Sequence, residues 1–519
     1  MSLARDIGTV GIGTLVSRLF AYTRDAAIAA LLGTGPYSEA FFVVLQGINF
    51  FRRLLAEGAL NGAFVPIWLR LAAGEDGTAK ANRFTIRTLV TIGCITGAIA
   101  LMVVVLAHFI AIVFAQGFGP RRQNLTALYL MIAAPYIVLS ALVAVLSAAL
   151  YAEHRVIAVT VSTAAFNMVL VGLLGFIMTS DVPQFAIGTW LALAIVGAGL
   201  LQLLITAGAW LASGRRFRRA RTGTRDQSGA FFARALPSLI ASGVPQLKLI
   251  AATALVSASP AAVSWLYYAN RLYELPLGVA SIAIAATIVP RIAASVGARD
   301  RAAYAGAQSR AYEIALGVAL PATTGFALLA PQIASGLFEH GAFGARDTDA
   351  VATLVLAMCS GIPGHVLEKV FGAVSFAHED TRTPMLAALT GLAAAVAGGI
   401  ALYPAYDYVG VAAAIALSGW IGAGLLGALL YRRGWLRLDA GATRNLPRIA
   451  GATAIMGAAV AGGLAAVELL LPMLAASPVG RLVVLFALVA TGVVVYAASL
   501  DGLGVIKLSD LVGAVRRGG

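Results

Sequence analysis

Charge is what this chain has least of. Only 12% of its 519 residues are Asp, Glu, Lys or Arg, 60% are hydrophobic, and the mean hydropathy is +0.89. Soluble domains carry about 25% charged residues, so the deficit excludes an ordinary water-soluble domain and makes lipid the solvent. Cysteine is nearly absent too. Cys94 and Cys359 lie in apolar segments far apart in sequence, which excludes a disulfide framework and reads as two buried free thiols. The five histidines are scattered without ligand spacing, so neither a metal nor another cofactor is expected. Arg18 and Arg24 interrupt the N-terminal apolar run and no cleavage pattern follows, so no signal peptide is expected.

Apolar runs of roughly 20 residues are abundant, each able to cross a hydrocarbon core of about 30 Å. They predict an all-α polytopic membrane protein with fourteen transmembrane helices. These fall near 6–32, 38–71, 86–115, 124–151, 156–178, 184–212, 231–257, 262–290, 308–337, 349–376, 383–404, 409–431, 447–471 and 481–502.

The formal net charge of +14 would suit nucleic acid, but its distribution does not. With fourteen spans and both termini on one side, 26 of the 37 Lys and Arg fall on that side. Arg121, Arg122, Arg346 and Arg481 fall on the other. Such a bias sets both termini in the cytoplasm by the positive-inside rule. The basic character is therefore topological, and no nucleic-acid partner is expected.

The chain also repeats itself. "SEAFF" at Ser38 is echoed by "SWLYY" at Ser264, and "FVP" ending at Pro66 by "IVP" ending at Pro290. "FAQGFG" at Phe114 answers "FEHGAFG" at Phe338, and "YAEHR" at Tyr151 answers "FAHED" at Phe376. The offsets, 226, 224, 224 and 225, span six helices, so the repeat is parallel. Parallel repeats with a site near the bilayer midplane are a transporter architecture. The expected organisation is an N-terminal lobe at 1–213 (helices 1–6), a basic cytoplasmic linker at 214–230 and a C-terminal lobe at 231–432 (helices 7–12). A helix pair at 445–502 and a cytoplasmic tail at 503–519 follow.

Seven cations remain within the spans: Arg18, Arg24, Arg52, Arg53, Lys248, Arg271 and Lys369. An ionisable side chain there costs at least about 2.5 kcal/mol and faces a cavity or a partner. Asn49, Arg53, Glu57 and Asn61 are four apart and form one ridge of a helix, flanked by Arg52. Ser17 with Arg24, and Arg18 with Asp25, stack seven apart. Tyr267, Asn270, Arg271 and Glu274 make a further polar stripe at the repeat-equivalent of helix 2. Arginines 18, 24, 52, 53 and 271 face three nearby acids, Asp25, Glu57 and Glu274, which leaves about two positive charges uncompensated. Arginine's planar fork matches phosphate oxygens, so the expected ligand bears phosphate. Lys248, and Lys369 beside Glu368, read as local ion pairs or snorkelling side chains.

The stretches "SRLFAYTRDAAIAALLGTG", "EAFFVVLQGINFFRRLLAEGALNGAFVPI" and "SWLYYANRLYELPLGV" resemble the MurJ (MviN) family of the MOP exporter superfamily, and the likeness runs over nearly the whole chain. The resemblance implies flipping of lipid II, the undecaprenyl-pyrophosphate-linked peptidoglycan precursor, across the bacterial inner membrane by alternating access, without enzymatic chemistry. Arg24, Arg52 and Arg271 would engage the pyrophosphate and proximal sugar. Arg18, Asp25 and Glu57 would shape the cavity or its gate, with Ser17 and Arg53 also lining it; Asn49 and Asn270, from the polar ridge and stripe above, are expected to join them in binding substrate. The last two helices would hold the lipid tail. Lipid II, membrane lipids and the cell-wall synthesis machinery are the partners implied, and the chain is expected to be a monomer.

Two positions depart from the family pattern. Many members have Asp where this chain has Asn270, and Gln227 to Tyr273 contains none of the acids some members use for sodium. The alternatives are a flippase for another polyprenyl-pyrophosphate oligosaccharide, a cation-coupled multidrug exporter, or a membrane enzyme acting on lipid-linked sugars. Excess arginine disfavours cationic drugs. The non-cytoplasmic loops lack the carboxylate cluster an enzyme would use.

Overall fold

The computed structural model describes residues 3–56, 59–73, 77–214, 243–284, 289–297, 300–437, 439–470 and 477–506. Helix is the answer to a bilayer, where every backbone N–H and C=O must be satisfied within its own segment. No strand occurs among the described residues. The helices are α1 Leu3–Leu32, α2 Pro36–Ala56, α3 Ala59–Ala72, α4 Gly77–Val105, α5 Ala107–Phe114 and α6 Pro120–Ala133. Next come α7 Pro135–Ala152, α8 Val156–Met178, α9 Gln184–Leu211, α10 Gly243–Val256, α11 Ala262–Ala283 and α12 Val289–Gly297. The chain continues with α13 Arg301–Phe338, α14 Ala345–Cys359, α15 Ile362–Ala377, α16 Arg382–Arg432, α17 Ala440–Leu470 and α18 Pro478–Gly502.

Eight of the described helical spans are long and apolar enough to cross a bilayer, or nine if the bent pair α14 and α15 is one span. The protein is a multi-pass integral membrane protein. The difference from fourteen has physical causes. The tenth expected span is built from two pieces, α14 and α15, bent by 43°, whereas α6 and α7, which meet at Pro135, count as one span over Pro120–Ala152. Conversely, the eleventh and twelfth expected helices run together as α16, broken at Asp407, whose backbone is non-helical. The expected linker lies outside the described residues except for Gly214, as does the tail beyond 506.

Two compact units form, Met1–Ser264 with His340–Phe343, and Trp265–Glu339 with Gly344–Gly519. In the first, α1 lies along α8, which packs on α9, while α7 packs on α4 and α9. Its core includes Phe64 stacked on Phe84 at 4.9 Å, with Trp68, Leu146, Leu150 and Trp210. In the second, α13 packs against α14, α15, α17 and α18, and α15 against α16. Leu329, Met456, Val460, Val484 and Leu488 fill the seam of α13, α17 and α18. Leu101, Val105, Phe109, Phe176 and Phe185 remain exposed, an outer surface suited to acyl chains. Cys94 belongs to that exposed set, contrary to the expectation of two buried thiols; Cys359 is buried.

Candidate functional site

Arg24 sits in the last third of α1 and is almost wholly buried, as is Asp25. Its Nη2 and Nε both donate to Asp25 Oδ1, at 2.7 and 3.0 Å, and its Nη1 donates to Asn167 Oδ1 on α8 at 2.9 Å. Asn167 in turn donates from Nδ2 to the Ser17 carbonyl at 3.3 Å. A buried arginine left unpaired would be costly, and this arrangement satisfies it while fastening α1 to α8. In this conformation the Arg24 fork is occupied by protein groups. Asn167 was not among the residues expected from sequence. Its signal was a lone amide in the apolar run "STAAFNMVLVG".

Arg52, near the end of α2, is half-buried, and its Nε donates to Asn49 Oδ1 one turn earlier at 3.2 Å. It has no carboxylate partner among the described residues, and neither does half-buried Arg18 on α1. Tyr136 of α7, fully buried, is within electrostatic reach of both Arg24 and Arg52, and its hydroxyl donates to Gln202 Oε1 at 3.3 Å. Arg53 is half-buried. Glu57 lies outside the described residues, as do the side-chain surroundings of Asn61.

The second unit holds the α11 stripe. Arg271 Nε and Nη2 donate to the Tyr267 hydroxyl at 3.2 and 3.1 Å, and its guanidinium lies 5.2 Å from that ring's centre. Glu274 Oε2 is 3.8 Å from Nη1, a loose ion pair. Asn270 is half-buried beside it. Tyr267 therefore orients the Arg271 fork, while the carboxylate only partly neutralises it.

A separate set of contacts in the first unit joins equivalent parts of the repeat. Ser38 and Ser264 hydroxyls meet at 3.2 Å, and Thr253 Oγ1 donates to Gln46 Oε1 at 2.6 Å. Ala342 N–H donates to the Ala30 carbonyl at 2.8 Å, and Gly117 N–H to Ser257 Oγ at 2.9 Å. Gly33 and Gly341 both adopt positive φ, 58° and 60°, where a side chain would be strained. A Cβ on Gly341 would also stand 2.3 Å from the Ala30 oxygen. Arg122 pairs with buried Glu39 at 2.7 Å, and at the corresponding places in the second unit Trp265 Nε1 donates to Asp347 Oδ1 at 2.9 Å. Among the described residues no cluster of three His, Cys, Asp or Glu is suited to a metal ion.

A multi-pass helical protein with an internal sequence repeat and with arginines buried or half-buried on its helices has the architecture of a membrane transporter. The sequence profile described as "Lipid II flippase MurJ" matches residues 28–476. The chain belongs to the lipid II flippase MurJ family. It is 34% identical to the probable lipid II flippase MurJ of Rhizobium meliloti (strain 1021), over 100% of this chain and 97% of that one. Among solved structures, "Lipid II flippase MurJ, inward closed conformation" superposes with a TM-score of 0.77 at 20% identity, covering 97% of this chain and 99% of the other. An inward-facing multidrug resistance MATE family transporter of the MOP superfamily gives 0.65 at 14% identity, covering 83% and 98%.

Proposed function

We propose that this protein flips lipid II from the cytoplasmic to the periplasmic leaflet of the bacterial inner membrane, with both termini in the cytoplasm. The observation that carries the phosphate part of this reading is the half-buried pair Arg18 and Arg52, arginines of membrane helices with no carboxylate partner among the described residues. Their surplus charge suits a hydrated cavity that receives an anion. Arg52 and Arg271 engage the pyrophosphate through their forks. Arg24 joins them once Asp25 releases it, so the Arg24–Asp25 pair acts as a latch that substrate opens. The two repeat-related lobes, 1–213 and 231–432, rock about a midplane site, and the pair at 445–502 holds the polyprenyl tail. Membrane lipids and the cell-wall synthesis machinery are the other partners, and the working form is a monomer.

The test is transport of labelled lipid II by purified protein in liposomes, with Arg52→Ala alongside the wild type. Wild type should move lipid II without changing its mass, and the variant, reconstituted at equal density, should lose at least tenfold. Undiminished flipping by Arg52→Ala would remove the phosphate role. A change in substrate mass would instead make the protein an enzyme.

A further inference from the structure

His365 and Glu368, in the second unit, play no part in this mechanism. His365 and Glu368 lie one turn apart on α15, just past the 43° bend that separates it from α14. The break frees backbone carbonyls within a span, and neighbours satisfy them: Trp420 Nε1 donates to the Ser360 oxygen at 2.9 Å, Thr323 Oγ1 to the Cys359 oxygen at 3.2 Å. His365 Nδ1 faces Glu368 Oε2 at 3.8 Å, with the side chains 13% and 23% exposed. Opposite them α16 presents Gly419 and Gly422, also one turn apart. A Cβ on Gly419 would stand 1.9 Å from His365 Nδ1, and one on Gly422 3.0 Å from Glu368 Oε1. The small residues of α16 thus make the room that the imidazole and carboxylate occupy. From α11, the Tyr273 ring meets the imidazole edge-on at 5.9 Å, and its buried hydroxyl has no hydrogen-bond partner among the described residues.

We propose that His365 and Glu368 form a proton-binding site whose loading is tied to the transport cycle; the coupling rests on the flippase reading above. With the imidazole neutral and the carboxylate ionised, the pair carries one negative charge inside a membrane span. One proton, taken up at the imidazole, makes it a neutral ion pair and draws the 3.8 Å gap toward hydrogen-bond length. The loaded form is the cheaper one to enclose in hydrocarbon, and the empty form needs water. Protonation therefore favours whichever conformation dries this region. Among the described residues, the ionisable groups near the pair are Tyr273 on α11, Cys359 at the end of α14 and exposed Lys369 on α15 itself, and α11 also carries Arg271 and Glu274. Tyr312 of α13 lies against Phe371, two turns farther along α15, and α12 contributes the exposed Arg291.

Two measurements on the full-length protein test this. The first is the unfolding midpoint in detergent from pH 5 to 8 for wild type, His365→Gln, Glu368→Gln and Tyr273→Phe. Wild type should show a sigmoidal shift that both Gln variants lose and Tyr273→Phe displaces along the pH axis. Unchanged titration in the Gln variants overturns the site, and either Gln variant suffices if the other misfolds. The second is lipid II flipping in liposomes with the potential clamped to zero and a pH gradient of either sign imposed. Wild-type rates should differ severalfold between the two signs, and Glu368→Gln should flip at one rate in both. Wild-type flipping indifferent to the gradient overturns the coupling while leaving flippase activity standing. No flipping under any gradient, nor with a membrane potential of either sign restored, overturns the flippase reading instead, and the detergent titration then decides the proton site by itself.

Discussion

Ser38 and Ser264 occupy equivalent places in the sequence repeat, and their hydroxyl oxygens lie 3.2 Å apart. The contact pairs one position of the sequence repeat with its own counterpart, within the first unit. The neighbouring contacts follow the same pairing. The turn at Gly341 rests on Ala30 at the end of α1, and its equivalent at Gly117 rests on Ser257 and Ala258 at the end of α10.

The first prediction uses that contact. With Cys94 and Cys359 replaced, Ser38→Cys with Ser264→Cys should form a disulfide on mild oxidation, because the two side chains already converge. Flipping should stop when the bond forms and return on reduction. A bond that forms quantitatively while transport continues would mean that these positions need not separate in the cycle, and a rocking motion that parts them would be abandoned.

Gly341→Ala tests the same contact from the other direction. The new Cβ would meet the Ala30 carbonyl at 2.3 Å, in a backbone conformation that a side chain strains. The turn should lift away from α1. A single cysteine placed at Ser38 should then react several times faster with a membrane-impermeant maleimide than it does with Gly341 intact. Equal labelling rates would show that the turn accommodates the methyl group without opening.

Asp25→Ala should destabilise the protein more than its modest size suggests. It removes the carboxylate that accepts two of Arg24's hydrogen bonds, and stranding one member of a buried ion pair costs about 3–5 kcal/mol. The unfolding midpoint in detergent should drop, and the Arg24→Met, Asp25→Leu double variant should recover most of the loss. If Asp25→Ala unfolds at the wild-type temperature, Arg24 finds another partner or reaches water.

A pH prediction concerns the loop before α16. Burial pushes the Asp380 carboxyl up, but hydrogen bonds from Thr383 and the Arg433 guanidinium outweigh it and hold the group at about 2, below its ordinary 3.8. A carboxylate held low in the folded state stabilises it above the unfolded value, and that contribution vanishes as pH falls through the folded one. Asp380→Asn should therefore lower the unfolding midpoint near pH 6. The gap from wild type should close between about pH 4 and pH 2. A gap that stays constant over that range would assign the effect to lost packing instead.

Much of the fold was legible because lipid imposes one demand that composition records directly. Runs such as "LALAIVGAGLLQLLI" must be helices, and Arg24, Arg52 and Arg271 stood out against them. What was hidden depends on partners distant in sequence. Asn167, which shares Arg24 with Asp25, lies 143 residues farther on, and one asparagine in an apolar run carries no spacing of its own. The bend at Ser360 was hidden too, because its freed carbonyls are satisfied by Trp420 and Thr323 from other helices. His365 looked isolated among scattered histidines. Its setting appears only when Gly419 and Gly422 on α16 are laid against α15.

The short segment His340–Phe343 belongs with the first compact unit although it follows the whole of α13 in the chain. During synthesis the ribosome adds roughly 5–20 residues each second, so several seconds pass between Ser264 and His340. For that interval the ends of α1 and α10 have emerged without the turn that rests on Ala30. The first half of the molecule is thus born with one contact missing, and only the arrival of Gly341 completes it. Insertion in the membrane becomes a sequence of two closings, the earlier one provisional until the later segment docks.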